Sequence, residues 1–447
     1  MAARFLPSGS QRPRGIALTL CGLVALALAL RVAAAVVGLD VRSGSDSDVY
    51  ERLAARLYES RAWGIPGSEN PYDFAPGPPL FASAVYYLTG GANPLFARLA
   101  MAVAGSLAVV VVFLIGRRLA GPSAGVMGAG IFAVYPVPIY YTGKLTAEPI
   151  AVLTLASAVL AFLWARDEGR SWWAWAVPGV CFGFTALLRP EYLAFGALFV
   201  LLAGAFTWRR GGAVPGLAGG GVFAVAFALV IAPWTVHVTR ELGRYTPIST
   251  GGGKALFIGS YLPGGGLHDG VKRHLLQRFR GKSDVPLEEL RQTSMTPLLD
   301  RVASRYPHLS RDAALRRVGQ ANVRRYATQR PAEFAEMVMT KMAYMWQGSG
   351  APSRTLSGAI AHFTVLGFGL AGLVLLALRR RWEAVPLAAL ILGVTVIGGL
   401  LLAGTRRNVP LMPLVAALAG VSAIAGAQRA RAAIGRAHKT LAASQDS

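Results

Sequence analysis

The chain has 447 residues, of which 54% are hydrophobic and only 15% charged, with 45 Lys+Arg against 22 Asp+Glu and a formal net charge of +23. A soluble domain carries about 25% charged residues, so this chain lacks the polar side chains needed to coat a water-facing surface. Its apolar residues come in long unbroken runs, which excludes a soluble enzyme, a disordered chain and an outer-membrane barrel with alternating strands. In a membrane protein the basic excess first reads as the bias of cytoplasmic loops toward Lys and Arg. No nucleic-acid-binding module accompanies it, so no nucleic-acid partner is expected. Cys21 and Cys181 both fall inside apolar runs, which predicts neither a disulfide framework nor a cysteine zinc site.

In chain order the apolar runs predict about ten transmembrane helices, at 15–38, 92–116, 122–140, 146–165, 172–188, 191–208, 214–235, 357–378, 384–404 and 409–427. The first run has basic flanks at Arg4, Arg12 and Arg14, and Ala33–Ala35 imitates a cleavage site. Its apolar stretch is longer than that of a signal peptide, so it reads as an anchor. Arg117/Arg118, Arg166/Arg170, Arg209/Arg210, Arg379–Arg381 and the tail cations Arg429, Arg431, Arg436 and Lys439 fall on one side if ten spans alternate. That side is expected to be cytoplasmic and to hold both termini, in a multi-pass protein of the inner or plasma membrane. Trp172, Trp173 and Trp175 sit where interfacial anchors belong.

The chain then divides into 1–235 (seven spans and a first external loop, 39–91), an external domain 236–356, three spans within 357–428 and a basic cytoplasmic tail 429–447. The external domain is expected to be mainly helical, with stretches at 284–299 and 312–327. No internal repeat is evident, which weighs against transporters built from paired halves.

The first loop carries the densest information. Val49, Tyr50, Leu53, Ala54 and Leu57 recur at helical spacing, with Arg52, Arg56 and Glu59 on the other face. This predicts an amphipathic helix on the membrane surface. Asp48 followed by Glu51 has the spacing of a capping box, so Asp48 reads as the N-cap. Asp46 is not needed for that cap, and a carboxylate held just outside a span is free to act as a base. The prolines of 71–79 make a stiff, non-helical lip before the apolar 80–89 stretch.

Several short motifs in order resemble the polyprenyl-phosphate-dependent membrane glycosyltransferases of GT-C architecture, the protein O-mannosyltransferases and aminoarabinose lipid A transferases. They are Asp46-x-x-x-Tyr50-x-x-x-Ala54, Pro76-Gly77-Pro78-Pro79-Leu80-Phe81, Thr146-Ala147-Glu148-Pro149, Leu188-Arg189-Pro190-Glu191, Ser249–Gly253 with Gly259, and Arg406-Arg407-Asn408-Val409-Pro410-Leu411-Met412-Pro413. The last departs from the family's Arg-Tyr-Arg pattern, which leaves open whether Arg406 or Arg407 carries the role. The resemblance implies an all-α polytopic GT-C fold. It also implies an inverting transfer of a sugar from a polyprenyl-phosphate donor to a hydroxyl on a glycan, lipid or protein acceptor at the external membrane face.

Such a transfer needs a general base for a poor nucleophile and fixed positive charge at the leaving phosphate. The resemblance puts Asp46 in the base position, with Asp48 the neighbouring catalytic candidate. Lys144, Arg189, Arg406 and Arg407 are external cations at span ends that break the cytoplasmic bias, and with Glu148, Tyr50 and Tyr141 they make up the candidate substrate and donor-phosphate set. Their bland readings are snorkelling to lipid headgroups for the arginines, a Lys144–Glu148 pair across one helical turn, and an aromatic belt for Tyr140 and Tyr141. Of Arg406 and Arg407, one is expected to be functional and one bland. Gly251–Gly253 before Lys254 lacks P-loop spacing. His237, His268, His274 and His308 lack ligand spacing, so a divalent metal is not implied and no cofactor is expected. A transporter or lipid flippase, and an O-antigen ligase or polymerase, remain as alternatives. The first explains neither the external domain nor the acidic loop, and the Asp46 motif favours a monophosphate donor over the second.

Overall fold

The computed structural model describes residues 13–38, 45–65, 72–167, 171–281, 285–348 and 350–445. Arg4, Arg12, Asn70, Pro71, Arg170 and Asp284 lie outside the described residues. Among those described, every regular element is a helix.

The chain begins with α1 (Pro13–Val37), followed by α2 (Asp46–Ser60) and α3 (Gly77–Thr89) in the first loop. Then come α4 (Pro94–Ala120), α5 (Pro122–Ala133), α6 (Pro136–Thr142), α7 (Glu148–Ala165), α8 (Ala176–Leu188), α9 (Tyr192–Gly211) and α10 (Ala213–Leu242). The second non-membrane segment holds α11 (Gly252–Ser260), α12 (His268–Arg280), α13 (Leu287–Gln292), α14 (Thr296–Ala303), α15 (Arg311–Gln329) and α16 (Pro331–Met345). The chain ends with α17 (Leu356–Leu378), α18 (Ala384–Leu400) and α19 (Met412–Gln445).

All ten apolar runs are helical, but they are not ten equal spans. Seven helices (α1, α4, α7, α9, α10, α17 and α19) are long and apolar enough to cross a membrane. The predicted span 122–140 is broken into α5 and α6, bent by 50°, because Pro136 can supply no N–H to continue the first helix. The α8 run, with its Trp172–Trp175 3-10 turn, and α18 are shorter apolar helices of at most 17 residues, about 25 Å against a hydrocarbon core of about 30 Å. The span read as 214–235 continues to Leu242 despite Pro233.

The break in α5–α6 explains a residue that sequence reasoning passed over. Arg31, in the last turns of α1, is completely buried and has no carboxylate partner among the described residues. Its guanidinium donates to Ala133 O at 3.1 Å, Ala27 O at 3.2 Å and Phe132 O at 3.4 Å. The two distant carbonyls belong to the end of α5, where the helical ladder stops, and Phe132 O also accepts the Tyr135 N–H at 3.4 Å. A cation at a helix C-terminus also answers its dipole, so Arg31 fastens α1 to the kink.

The main core runs through the bundle and includes Phe162, Phe182, Phe195, Phe199 and Phe223. A second core under α11–α15 is built from residues such as Phe257, Leu275, Leu276, Leu299 and Leu315. The predicted helix 284–299 is two pieces, because Pro297 starts a new helix at α14, whereas 312–327 falls inside α15. Helix α2 differs from expectation in its surroundings. Its apolar face, with Tyr50, Leu53 and Ala54 buried, packs on α3 and the tops of α4 and α7 rather than lying on lipid. The proline lip is correspondingly the first turn of α3, where Pro78 and Pro79 occupy positions that need no N–H partner.

Candidate active site

Four separate turns converge where α2 meets the bundle. The first is the start of α2, where Ser45 is extended (φ −72°, ψ 160°) and its side chain accepts the Asp48 N–H at 3.3 Å. Ser45, not Asp48, is therefore the N-cap. Asp48 sits in the first turn and pairs with Arg52 at 2.9 Å, away from the bundle. Asp46 is left as the first residue of α2.

The second turn opens α7. Glu148 is its first residue, followed by Pro149, and a carboxylate there is favoured by the helix dipole. The third joins α8 to α9. Pro190 forces Arg189 out of the helical region, to φ −145° and ψ 101°, and Glu191 immediately precedes α9 without a side-chain cap bond to it. The fourth is the 3-10 turn Thr405–Leu411 before α19. It is tied down by Asn408, which is fully buried and donates from Nδ2 to Met345 O at 2.8 Å.

Two glycines make this convergence fit. A Cβ on Gly77 would lie 2.9 Å from Leu187 O and from Leu188 Cα, so the proline lip packs backbone to backbone against the chain entering Arg189. A Cβ on Gly259 would lie 2.3 Å from the Leu401 carbonyl carbon, just before the arginine-bearing turn. Neither contact leaves room for a side chain.

The charged groups form one alternating chain. Arg406 donates from Nη2 to Asp46, and its Nε lies 3.7 Å from Glu148. Arg189 donates from Nη2 to the same Glu148 oxygen and from Nη1 to Glu191 at 3.1 Å. Arg407 donates to that Glu191 oxygen, also at 3.1 Å. The order Asp46–Arg406–Glu148–Arg189–Glu191–Arg407 thus links positions up to 360 residues apart. Arg406 and Arg407 both belong to it, each held by a carboxylate.

The chain is graded in access. The Asp46 and Arg406 side chains are 33% and 43% exposed, whereas Glu148 and Arg189 are 2% and 9% exposed. A substrate can therefore reach the Asp46–Arg406 end, while Glu148 and Arg189 lie beneath it. Burial alone would raise the Asp46 carboxyl, but Arg406, helped by Lys254 and Arg189, outweighs it and holds the group below the usual carboxylate range. Burial likewise opposes Glu191, and Arg407 and Arg189 bring it down to about 2. Tyr50, one turn after Asp46, is buried edge-on to Phe74 at 5.9 Å, and its hydroxyl is pushed up by burial and by Asp46.

Two predicted site residues stand apart. Lys144 does not pair with Glu148, and its ammonium lies 5.6 Å from the centre of the Tyr140 ring. Tyr141 packs edge-on to Tyr140 in the main core. Two others were missed. Glu191 was visible in the Leu188–Glu191 motif but not assigned. Lys254, placed by the glycine-rich turn, acts electrostatically on Asp46 and has no ion-pair partner among the described residues. No three His, Cys, Asp or Glu side chains come together as metal ligands among the described residues.

A family model described as dolichyl-phosphate-mannose-protein mannosyltransferase matches residues 73–235. That segment contains the proline lip and the turns of Glu148, Arg189 and Glu191. No curated protein sequence matches the chain. The apo structure of the Archaeoglobus fulgidus oligosaccharyltransferase aligns at TM-score 0.58 with 16% identity, over 95% of this chain and 52% of that one. The archaeal oligosaccharyltransferase AglB from Archaeoglobus fulgidus, in complex with an inhibitory peptide and a dolichol-phosphate, aligns at TM-score 0.56 with 15% identity and the same coverages. ArnT from Cupriavidus metallidurans bound to undecaprenyl phosphate covers 91% of this chain and 77% of that one at 16% identity, and its TM-score of 0.42 is too low to argue from. The chain spans about half the length of the oligosaccharyltransferases it aligns with. At these identities the likeness concerns fold: the chain is a multi-pass membrane protein with the fold of the GT-C glycosyltransferases.

Proposed function

We propose that the chain transfers a sugar, with inversion, from a polyprenyl-phosphate donor to a hydroxyl of a glycan, lipid or protein acceptor, at the external face of the membrane. The observation that carries this reading is the alternating carboxylate–guanidinium chain, assembled from four distant turns and most exposed at Asp46 and Arg406.

The chemistry follows from the charges. Three carboxylates and three guanidiniums balance, and Lys254 adds a positive charge that acts on Asp46. A donor phosphodiester brings a negative charge that competes with Asp46 for Arg406. Once the phosphate takes Arg406 and Lys254, Asp46 loses the partner that holds its pKa down, and its proton affinity rises where the acceptor hydroxyl arrives. Asp46 then takes the hydroxyl proton as the oxygen attacks the anomeric carbon on the face opposite the phosphate. The sugar–phosphate bond breaks and the electron pair leaves on the lipid phosphate, stabilised by Arg406 and Lys254. Glu148, Arg189 and Glu191 hold Arg406 and Arg407 in place and keep the charges fixed before reaction.

The test is a membrane assay with a panel of radiolabelled polyprenyl-phosphate sugars. Wild type should label an acceptor with one of them and Asp46→Asn should not, at equal expression. Transfer by Asp46→Asn at the wild-type rate would remove Asp46 as the base. Orientation has its own test in a background without native cysteines. Ala321→Cys on α15 should react with a membrane-impermeant thiol reagent in intact cells and Ala433→Cys on α19 should not, and the reverse pattern would place the site on the cytoplasmic face.

A further inference from the structure

At the end of the bundle opposite the charge chain, α4 and α8 flank the last turns of α7 without closing over them. Ser157, Leu160, Ala161 and Trp164 on α7 are half-buried and recur at i, i+3, i+4 and i+7, so they form one stripe of that helix. The residues between them, such as Ala158, Val159, Phe162 and Leu163, are buried in the core. The stripe is the floor of a groove of about 660 Å³ whose walls are Leu114 on α4 and Val177 and Cys181 on α8. The volume falls within the roughly 300–1,000 Å³ of small-molecule sites. It runs about 10 Å along α7, estimated from seven residues at the helical rise.

The groove is apolar along its length and cationic at its mouth, where Arg117 and Arg118 line it. These two arginines differ. Arg118 is spoken for, donating to both oxygens of Asp167 and lying 5.9 Å from the Trp382 ring. Arg117 is exposed and makes no ion pair among the described residues. The rim of the groove therefore carries one uncompensated positive charge at the membrane boundary, above a slot that holds no charged group and is lined mainly by apolar side chains.

We propose that this groove binds an anionic membrane phospholipid. One acyl chain lies along the α7 stripe between α4 and α8, and the phosphate sits on Arg117. The shape accepts an unbranched hydrocarbon, and the charge selects an anionic headgroup over a zwitterionic one. Basic pockets between transmembrane helices favour such headgroups. The site is separate from the proposed reaction centre, which lies at the other end of α7.

Native mass spectrometry of the purified, delipidated full chain titrated with phosphatidylglycerol or phosphatidylcholine tests this. One phosphatidylglycerol should be retained at concentrations where phosphatidylcholine is not. Arg117→Gln should weaken that retention about fivefold, the worth of one cation at an anionic surface. Ala161→Trp, which fills the floor, should abolish it while leaving the melting temperature of the chain near wild type. Alkylation by a hydrophobic maleimide in a Cys21→Ser background locates the lipid, since phosphatidylglycerol bound in the groove should shield Cys181. Equal retention of both lipids, or retention unchanged in Arg117→Gln and Ala161→Trp, would overturn the proposal. Shielding of Cys181 by undecaprenyl phosphate at far lower concentration than by phosphatidylglycerol would reassign the groove to a polyprenyl lipid.

Discussion

The two ends of the membrane bundle are both rich in arginine and use it in opposite ways. At the Asp46 end, Arg189, Arg406 and Arg407 alternate with three carboxylates drawn from segments far apart in sequence. At the other end the arginines form isolated pairs or stack, and even Arg118 with Asp167, 49 residues away, is a pair by itself. Arg381 pairs with Glu383 two residues away, and Arg166 lies 3.7 Å from the centre of the Trp382 ring, with Phe206 at 4.9 Å. Local pairs and aromatic stacking anchor helix ends and tolerate drift. A long-range chain of alternating charges fixes distances between turns, which is what a reaction centre requires. Charge count does not separate the two ends, and neither does the spacing of any one pair, since Arg189–Glu191 is as local as Arg381–Glu383. What separates them is that carboxylates shared between arginines join the pairs at the Asp46 end into one chain.

The largest effect that sharpens this contrast is on catalysis. Asp46→Asn should lower transfer by roughly 10²- to 10⁴-fold, the span of general-base contributions. Asp167→Asn, at the opposite end, should leave donor turnover within about threefold of wild type in the same assay, as expected of a partly exposed ion pair. Comparable losses in both variants would erase the distinction between the two ends.

Next comes the buried part of the chain. Arg189→Ala leaves Glu148 and Glu191 without a shared partner and should cost about 3–5 kcal/mol in stability, as breaking a buried ion pair does. Arg189→Lys should be milder, because the charge remains and only the fork is lost. In the double variant Arg189→Met/Glu148→Gln, melting temperature should recover while transfer does not. Full recovery of transfer would make this pair a structural strut and nothing more.

Gly77→Ala probes the backbone contact between the proline lip and the Arg189 turn. The added Cβ must displace main chain rather than a flexible side chain, so about 1–3 kcal/mol of destabilisation is expected, with a matching loss of transfer. An unchanged melting temperature would show that the lip moves freely against α8.

A smaller effect is expected from acid. The Glu191 carboxyl is depressed to about 2, so it contributes stability fully above its unfolded pKa of about 4.3. That contribution fades as pH falls from there through about 2. Glu191→Gln should flatten the acid limb of a melting-temperature profile over this window, and an identical limb would show that Glu191 is not held by Arg407 and Arg189.

The smallest effect belongs to Asp48. Its pair with Arg52 is partly exposed and lies one helical turn along α2, so Asp48→Asn should cost about 0.3–0.5 kcal/mol and leave transfer intact. A dead Asp48→Asn beside an active Asp46→Asn would reverse the assignment of the base.

Much of the site was legible in short motifs. Asp46, Glu148, Arg189, Arg406 and Arg407 were all singled out from turns at span ends, and they meet. Glu191 stood in one of those motifs without a role, because a carboxylate beside Pro190 reads as an ordinary helix start until Arg407 is seen against it. Lys144 is a donor-phosphate candidate whose simpler reading pairs it with Glu148 from their spacing, but the chain between them is a turn, not a helix, so the i,i+4 rule does not apply. Asp48 was given the N-cap because the capping-box spacing also fits it. Ser45, three residues earlier, took the position.

The amino-acid sequence by itself determined the environment and the class of fold. Long apolar runs with few charges can satisfy their backbone in lipid only as helices, and the placement of proline, glycine and arginine marks where those helices end. Tertiary structure alone decided which ends meet. The pairing of Arg406 with Asp46 spans 360 residues, and nothing local encodes it. It exists because α2 buries its apolar face on α3, α4 and α7, and because Gly77 and Gly259 let backbones approach where any side chain would hold them apart. The buried Arg31 follows the same rule. A lone cation in the first span reads as a liability, until the kink at Pro136 ends a helix and turns its last carbonyls toward Arg31.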